Sequence, residues 1–220
     1  MTTGVRLCWL PLGADGRVVR RCGRAWEAWQ ARRQHRRPQP LFHAALEVVV
    51  DGDRWTVEMA PAWSGPATER GVVGTGPVGL RPLGRSRLFR YEVRVWRDGT
   101  IPDLATAVGG PSEVDTDGTR AHRLLAVLRG VPTPTWGRDE LRLGEMWNSN
   151  SVVAWALAAS GHDVTGLRPP GEGRAPGWDA GLRLAAAPSW RTGASRYGVR
   201  RSRSGVESGP RARRCARRGP

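Results

Sequence analysis

Apolar and polar residues alternate with period two along Leu41–Met59 and Leu88–Trp96, and apolar residues recur at helical spacing along Cys22–Arg37, Asp117–Arg129 and Asn150–Ser160. This mixture of separate strand and helix patterns predicts an α+β fold with an antiparallel sheet packed on helices. Val5–Leu12 and Arg17–Arg20 flank Gly13-Ala14-Asp15-Gly16 and predict a short hairpin. In Cys22–Arg37 the residues Ala25, Trp26, Trp29 and Arg33 share one helical spacing, and Arg32, Arg33, Arg36 and Arg37 gather near the end. Trp at i and i+3 reads as a helix docking on a core; the same basic helix with two tryptophans could also grip RNA or lipid. Pro38 and Pro40 stop it.

Asp51-Gly52 between alternating segments is a strong hairpin signal. A two-residue loop pairs Val50 with Asp53 and collects Phe42, Ala44, Leu46, Val48, Val50, Trp55, Val57 and Met59 on one face. His43, Ala45, Glu47, Val49, Arg54, Thr56, Glu58 and Ala60 fall on the other. In this register His43 lies opposite Ala60 and one diagonal step from Glu58, within reach of an imidazole–carboxylate contact. Residues 61–87, rich in Gly and Pro, read as a long loop with a short strand at Gly71–Val73. Leu88–Trp96 reads as a half-buried strand that turns Phe89, Tyr91, Val93 and Val95 inward. In Asp117–Arg129 the stripe Ala121, Leu124, Leu125 and Leu128 marks a helix. Asn148 or Ser149 caps a buried helix over Asn150–Ser160, and Gly161 closes it. Trp178–Ala187 is a last short helix.

Composition changes the picture in one respect. The 220 residues carry a net charge of +15, which taken alone suggests an anionic partner such as nucleic acid. Its distribution is uneven: residues 1–40 hold +7, residues 187–220 hold +9, and 41–186 hold −1. Any nucleic-acid binding therefore belongs to the basic ends. Domain organisation follows the same division: 1–40 as an N-terminal hairpin and basic helix, 41–187 as the folded α+β domain, and 188–220 as an Arg-rich tail too poor in aliphatic residues to order itself. Cys8, Cys22 and Cys215 form no spaced cluster, and no stretch has the length of a membrane span or the layout of a signal peptide. The expectation is a cytoplasmic protein without a metal or cofactor. Gly71-Val72-Val73-Gly74-Thr75-Gly76 lacks the ending of a phosphate-binding loop, and no His pair has zinc-ligand spacing. His162, just past a helix end, reads as structural, His35 lies in the basic run, and His122 fits either face of its helix.

Three features converge on chemistry: His43 on a strand, Glu58 on its partner, and a hydroxyl at the start of a buried helix in Asn148-Ser149-Asn150-Ser151. A helix N-terminus offers N–H groups and a dipole to developing negative charge, so Ser149 as nucleophile, His43 as base and Glu58 as orienting acid form a possible acyl-transfer set. Phe42-His43-Ala44-Ala45-Leu46, Val57-Glu58-Met59 and Asn148-Ser149-Asn150-Ser151-Val152 together resemble the permuted papain-like hydrolases of the NlpC, YiiX and lecithin:retinol acyltransferase type. The resemblance spans roughly 41–160. It implies a papain-like domain acting on an amide, ester or thioester, with Asn148, Asn150 and the Ser149 N–H supporting the oxyanion site. Ser149 stands where those families carry Cys. A hydroxyl does not ionise as a thiol does, so the alternative is a catalytically inactive papain-like scaffold that binds a peptide, lipid or cell-wall fragment in the same groove.

Overall fold

Asp51 (φ 54°) and Gly52 (φ 83°) both adopt left-handed backbone, the geometry of a tight two-residue hairpin turn. Strands β2 (Phe42–Val50) and β3 (Asp53–Pro61) therefore pair in the expected register, Val50 against Asp53 and Leu46 against Val57. The computed structural model describes residues 2–13, 17–63, 71–99 and 104–187. Within them, β1 (Gly4–Pro11), β4 (Val72–Pro77), β5 (Arg90–Arg97) and β6 (Ser112–Asp115) complete a six-stranded antiparallel sheet in the order β4-β5-β3-β2-β1-β6. The fold is α+β.

Alternation gives the sheet two unlike faces. Val5, Leu7 and Trp9 of β1, with Phe42, Ala44, Leu46, Val48 and Val50 of β2, join the main core, which also takes residues from three helices. These are α2 (Gly118–Leu128), α3 (Ser149–Ser160) and α4 (Trp178–Ala186). Ala121, Leu124 and Leu128 are the buried stripe of α2, and Asp117 caps it through the Thr119 and Arg120 N–H groups. Helix α3 is apolar nearly all round because it is enclosed on all sides, with Trp155 and Leu157 fully buried. Gly161 ends α3 in a left-handed cap.

Helix α4 lies against α3 through Gly181. A Cβ there would enter the contact radius of the Ser151 carbonyl oxygen and come within 2.8 Å of the Trp155 nitrogen. Gly181→Ala is expected to cost about 2 kcal/mol by forcing the helices apart. Denaturant midpoints check this, and an unchanged midpoint would mean the two backbones are not in such close approach.

The other face carries Cys8, Leu10 and Ala45 as a small apolar cluster, met by Leu104 and Ala107. Beside it run charge pairs set by register: Arg6 and Arg54 flank Glu47, while Arg94 pairs with both Glu58 and Glu92. Burial, aided by the Glu47 charge and opposed by Arg6, pushes the Cys8 thiol up to about 12, so it is inert as a nucleophile at neutral pH.

Several expectations are corrected. Arg17–Arg20 forms no strand; it opens helix α1 (Arg17–Arg33), and β1 pairs with β2 and β6, strands distant in sequence, in place of a local hairpin. Because β1 is flanked by β2 and β6, a boundary at residue 40 would cut through one sheet. Trp29 is 52% exposed beneath Arg33, 4.9 Å from its ring, so only Trp26 of the pair is partly sheltered. The short strand expected at Gly71–Val73 runs to Pro77, and β6 was not anticipated. Leu88 and Phe89 sit outside β5 in a 3-10 turn, with Phe89 facing solvent. The tail at 188–220 lies outside the described residues. No described helix is long and apolar enough to cross a membrane.

Candidate functional site

Pairing between β2 and β3 stops at Leu46 and Val57, so His43 does not meet Ala60; its cross-strand partner is Leu10 of β1. Strand alternation puts His43 on the face of Cys8, Leu10 and Ala45, away from α3. Burial lowers its pKa to about 4, leaving the ring neutral, and it makes no hydrogen bond or ion pair among the described residues. Glu58 turns to Arg94, 3.3 Å away, and not to His43. Burial raises the Glu58 pKa, and Arg94 only partly offsets this. No hydrogen bond joins any two of His43, Glu58 and Ser149.

The Asn148–Ser151 motif is drawn together, but by structural bonds. Asn148 Oδ1 accepts from the N–H groups of Asn150 (2.9 Å) and Ser151 (3.3 Å), and Ser151 Oγ accepts from the Asn148 N–H (3.1 Å), closing a capping box. Of the first-turn donors, the cap leaves out only the Ser149 N–H. Asn148 Nδ2 donates to Pro176 O (2.8 Å), and Ser151 Oγ donates to Gly177 O (2.8 Å). Ser149 opens α3, buried, with no hydrogen bond from its hydroxyl among the described residues.

Asn150 does the work of a missing strand residue. Where β3 diverges, its carboxamide lies on the exposed edge of β2: Oδ1 accepts from Ala44 N–H (2.8 Å), and Nδ2 donates to Phe42 O (3.0 Å) and Pro176 O (2.9 Å). Arg174 extends the repair, its carbonyl accepting from Phe42 N–H and its N–H donating to Pro40 O, each at 2.8 Å. The guanidinium of Arg174 reaches Glu27 of α1 at 3.3 Å. Glu27 also accepts from Arg36 and from the Gln39 N–H (3.0 Å). Burial would raise the Glu27 carboxyl, but these donors outweigh it and hold the pKa below the ordinary value.

Two clefts of about 320 and 290 Å³ open at this end of α3 and share Glu145, Arg174 and Pro176. The first is lined further by Arg168, Trp178 and Asp179, the second by Trp26, Gln30 and Met146. Glu145 accepts from the Gly177 N–H at 2.7 Å. Burial raises its pKa and the nearby Asp179 charge adds to this, against the N–H donors and Arg174. Compared with known proteins, the chain matches no family model, no curated protein and no solved structure.

The remaining histidines have local roles. His122 lies 3.4 Å from Asp51 at the surface, His35 (φ 52°) is exposed just after α1, and His162 is buried with Nδ1 2.8 Å from Ser160 Oγ. Sequence reasoning missed Glu27, Glu145 and Arg174. The one local signal was Glu145 standing three residues before the capping Asn148, and nothing local tied it to Gly177.

Proposed function

We propose that this chain is a non-catalytic binding domain, a papain-like scaffold that has lost hydrolysis and holds a peptide segment across the paired clefts at Glu145 and Arg174. The observation that supports this most is the use of Asn148, Asn150 and Ser151 as fasteners. Their carboxamides and hydroxyl are bonded to α3, β2 and the 176–177 turn, and His43 and Glu58 lie on the other face of the sheet from α3. The clefts offer contacts suited to a peptide: one tryptophan each, amide side chains at Gln30 and Gln34 in the second, and carboxylates at Glu145, Asp139 and Asp179. Across the two linings the carboxylates Glu145, Asp139 and Asp179 outnumber the cations Arg168 and Arg174, and Glu27, shared between Arg36 and Arg174, offsets part of the Arg174 charge, which favours a basic peptide.

A fluorophosphonate probe is expected to leave Ser149 unlabelled in the full chain. Calorimetric titration with a blocked hexapeptide carrying central lysines should show binding that Glu145→Gln weakens about tenfold, while the same peptide carrying glutamates does not bind. Labelling of Ser149 that disappears in His43→Ala would restore the Ser-His-Glu hydrolase or acyl-transferase reading and overturn this one. Lysine-peptide binding that is absent or indifferent to Glu145→Gln would remove the clefts from the assignment.

A further inference from the structure

The described surface exposes eight large apolar side chains, and five of them belong to two segments at one end of the sheet: Trp63 (59%), Leu80 (51%), Leu83 (39%), Leu88 (67%) and Phe89 (43%). Backbone bonds tie these segments together. Ala62 N–H donates to Arg90 O at 2.9 Å, Val78 N–H to Phe89 O at 2.8 Å, and Leu83 N–H to Leu80 O at 3.1 Å. Leu83 lies in a 3-10 helix, Arg81–Arg85, that the extended Leu80 immediately precedes. A monomeric surface rarely concentrates this much large apolar area without a partner for it.

The charges among these residues indicate which partner. Arg87 donates to Ala62 O, Arg90 to Gly84 O and Arg85 O, and Arg138 to Gly79 O, all of them neutral carbonyls. These bonds fix the guanidiniums without cancelling their charge. Arg85 makes no ion pair among the described residues, and Arg81 alone pairs with a carboxylate, Glu140. Asp139, the other carboxylate beside the patch, accepts from the Leu143 and Gly144 N–H groups. The result is an apolar tip collared by net positive charge.

We propose that this tip, residues 80–90 with Trp63, seats the protein on an anionic bilayer surface, the Leu and Phe side chains entering the acyl boundary and the arginines meeting lipid phosphates. Leucines cannot stack on bases or read them, so three of the five apolar groups would gain nothing from a nucleic acid. A second copy of the same patch would set arginines against arginines. An interface with acyl chains below and phosphates above satisfies both classes of side chain at once, with Trp63 at the headgroup level.

Co-sedimentation of the full chain with vesicles tests this. Vesicles of phosphatidylcholine containing about 30 mol% phosphatidylglycerol should carry the protein down at least tenfold better than phosphatidylcholine alone. The charge-neutral change Leu88→Ser with Phe89→Ser should lower that binding about tenfold or more, with unaltered thermal unfolding because both side chains face solvent. Arg85→Gln with Arg87→Gln should weaken it severalfold and flatten its salt dependence. The proposal is overturned if the serine variant binds as well as the parent, as it would were the basic ends simply drawn to negative vesicles. It is equally overturned if the parent does not bind, or if the serine change converts a dimer to a monomer in analytical ultracentrifugation.

Discussion

Replacing Asn150 with Ala is expected to lower the unfolding free energy by about 4 kcal/mol, the largest effect of any single side chain in the motif. The substitution leaves the buried Ala44 N–H and Phe42 carbonyl without the partner each now has, while Pro176 O keeps its bond from Asn148 Nδ2. An unmet buried polar group costs about 1–3 kcal/mol, and the missing carboxamide adds a small cavity. For a domain of this size the loss corresponds to a fall of about 8–16 °C in the unfolding midpoint. Asn150→Asp separates polar pairing from simple volume. It keeps an acceptor for Ala44 N–H but turns a carboxylate oxygen toward two carbonyl oxygens, so it should be as damaging as Ala near neutral pH and partly recover on acidification. An Ala variant within about 1 kcal/mol of the parent would mean the β2 edge finds another partner.

Acid should destabilise the parent by about 3 kcal/mol more than it destabilises His43→Met, with the difference developing between pH 6.5 and about 4. The sign follows from proton counts. An unfolded imidazole takes up its proton near 6.5, whereas the native ring, desolvated on the sheet face away from the helices, resists until about 4. Across that window the unfolded state binds more protons, so native stability declines as the pH drops. Met fills a similar volume without titrating. His162, also lowered mainly by burial, pulls in the same direction, while Glu58 and Glu145, raised mainly by burial, pull the other way; all three remain in the variant and cancel in the comparison. Urea melts of both proteins across this range decide it. Parallel stability curves would show that the His43 ring is solvated.

The parts of the fold that could be read in the sequence were those set by neighbours. Asp51-Gly52 with flanking alternation specified both the hairpin and its register, and Asn148 with Gly161 bracketed α3. Arg17–Arg20 departs from the expected strand because a short run after a Gly-containing turn suits either a strand or a first helical turn, and β1 pairing with β2 about forty residues on decides between them. Phe89 kept the alternation of β5, but Pro82 and Gly84 had already turned the chain into 3-10 geometry, and the strand begins only at Arg90. At the candidate site, local pattern gave the capping role of Asn148 and the buried start of α3. It could not show that β3 would diverge from β2 after Leu46, which removes Glu58 from His43 and opens the slot that Asn150 fills. The clefts were equally hidden, since Glu145, Arg174 and Glu27 meet only through long-range contacts.

The carboxamide splint on β2 also imposes an order of events on folding. Asn150 bonds to residues 106 and 108 positions earlier, so β2 is synthesised long before the group that covers its edge. During that interval the backbone at Phe42 and Ala44 is an open template for any extended segment, including the same segment of another chain. Closing so wide a loop is entropically slow, and the period of aggregation risk ends only when α3 has docked Asn150 on Ala44 and Phe42 and Arg174 has covered the Phe42 N–H.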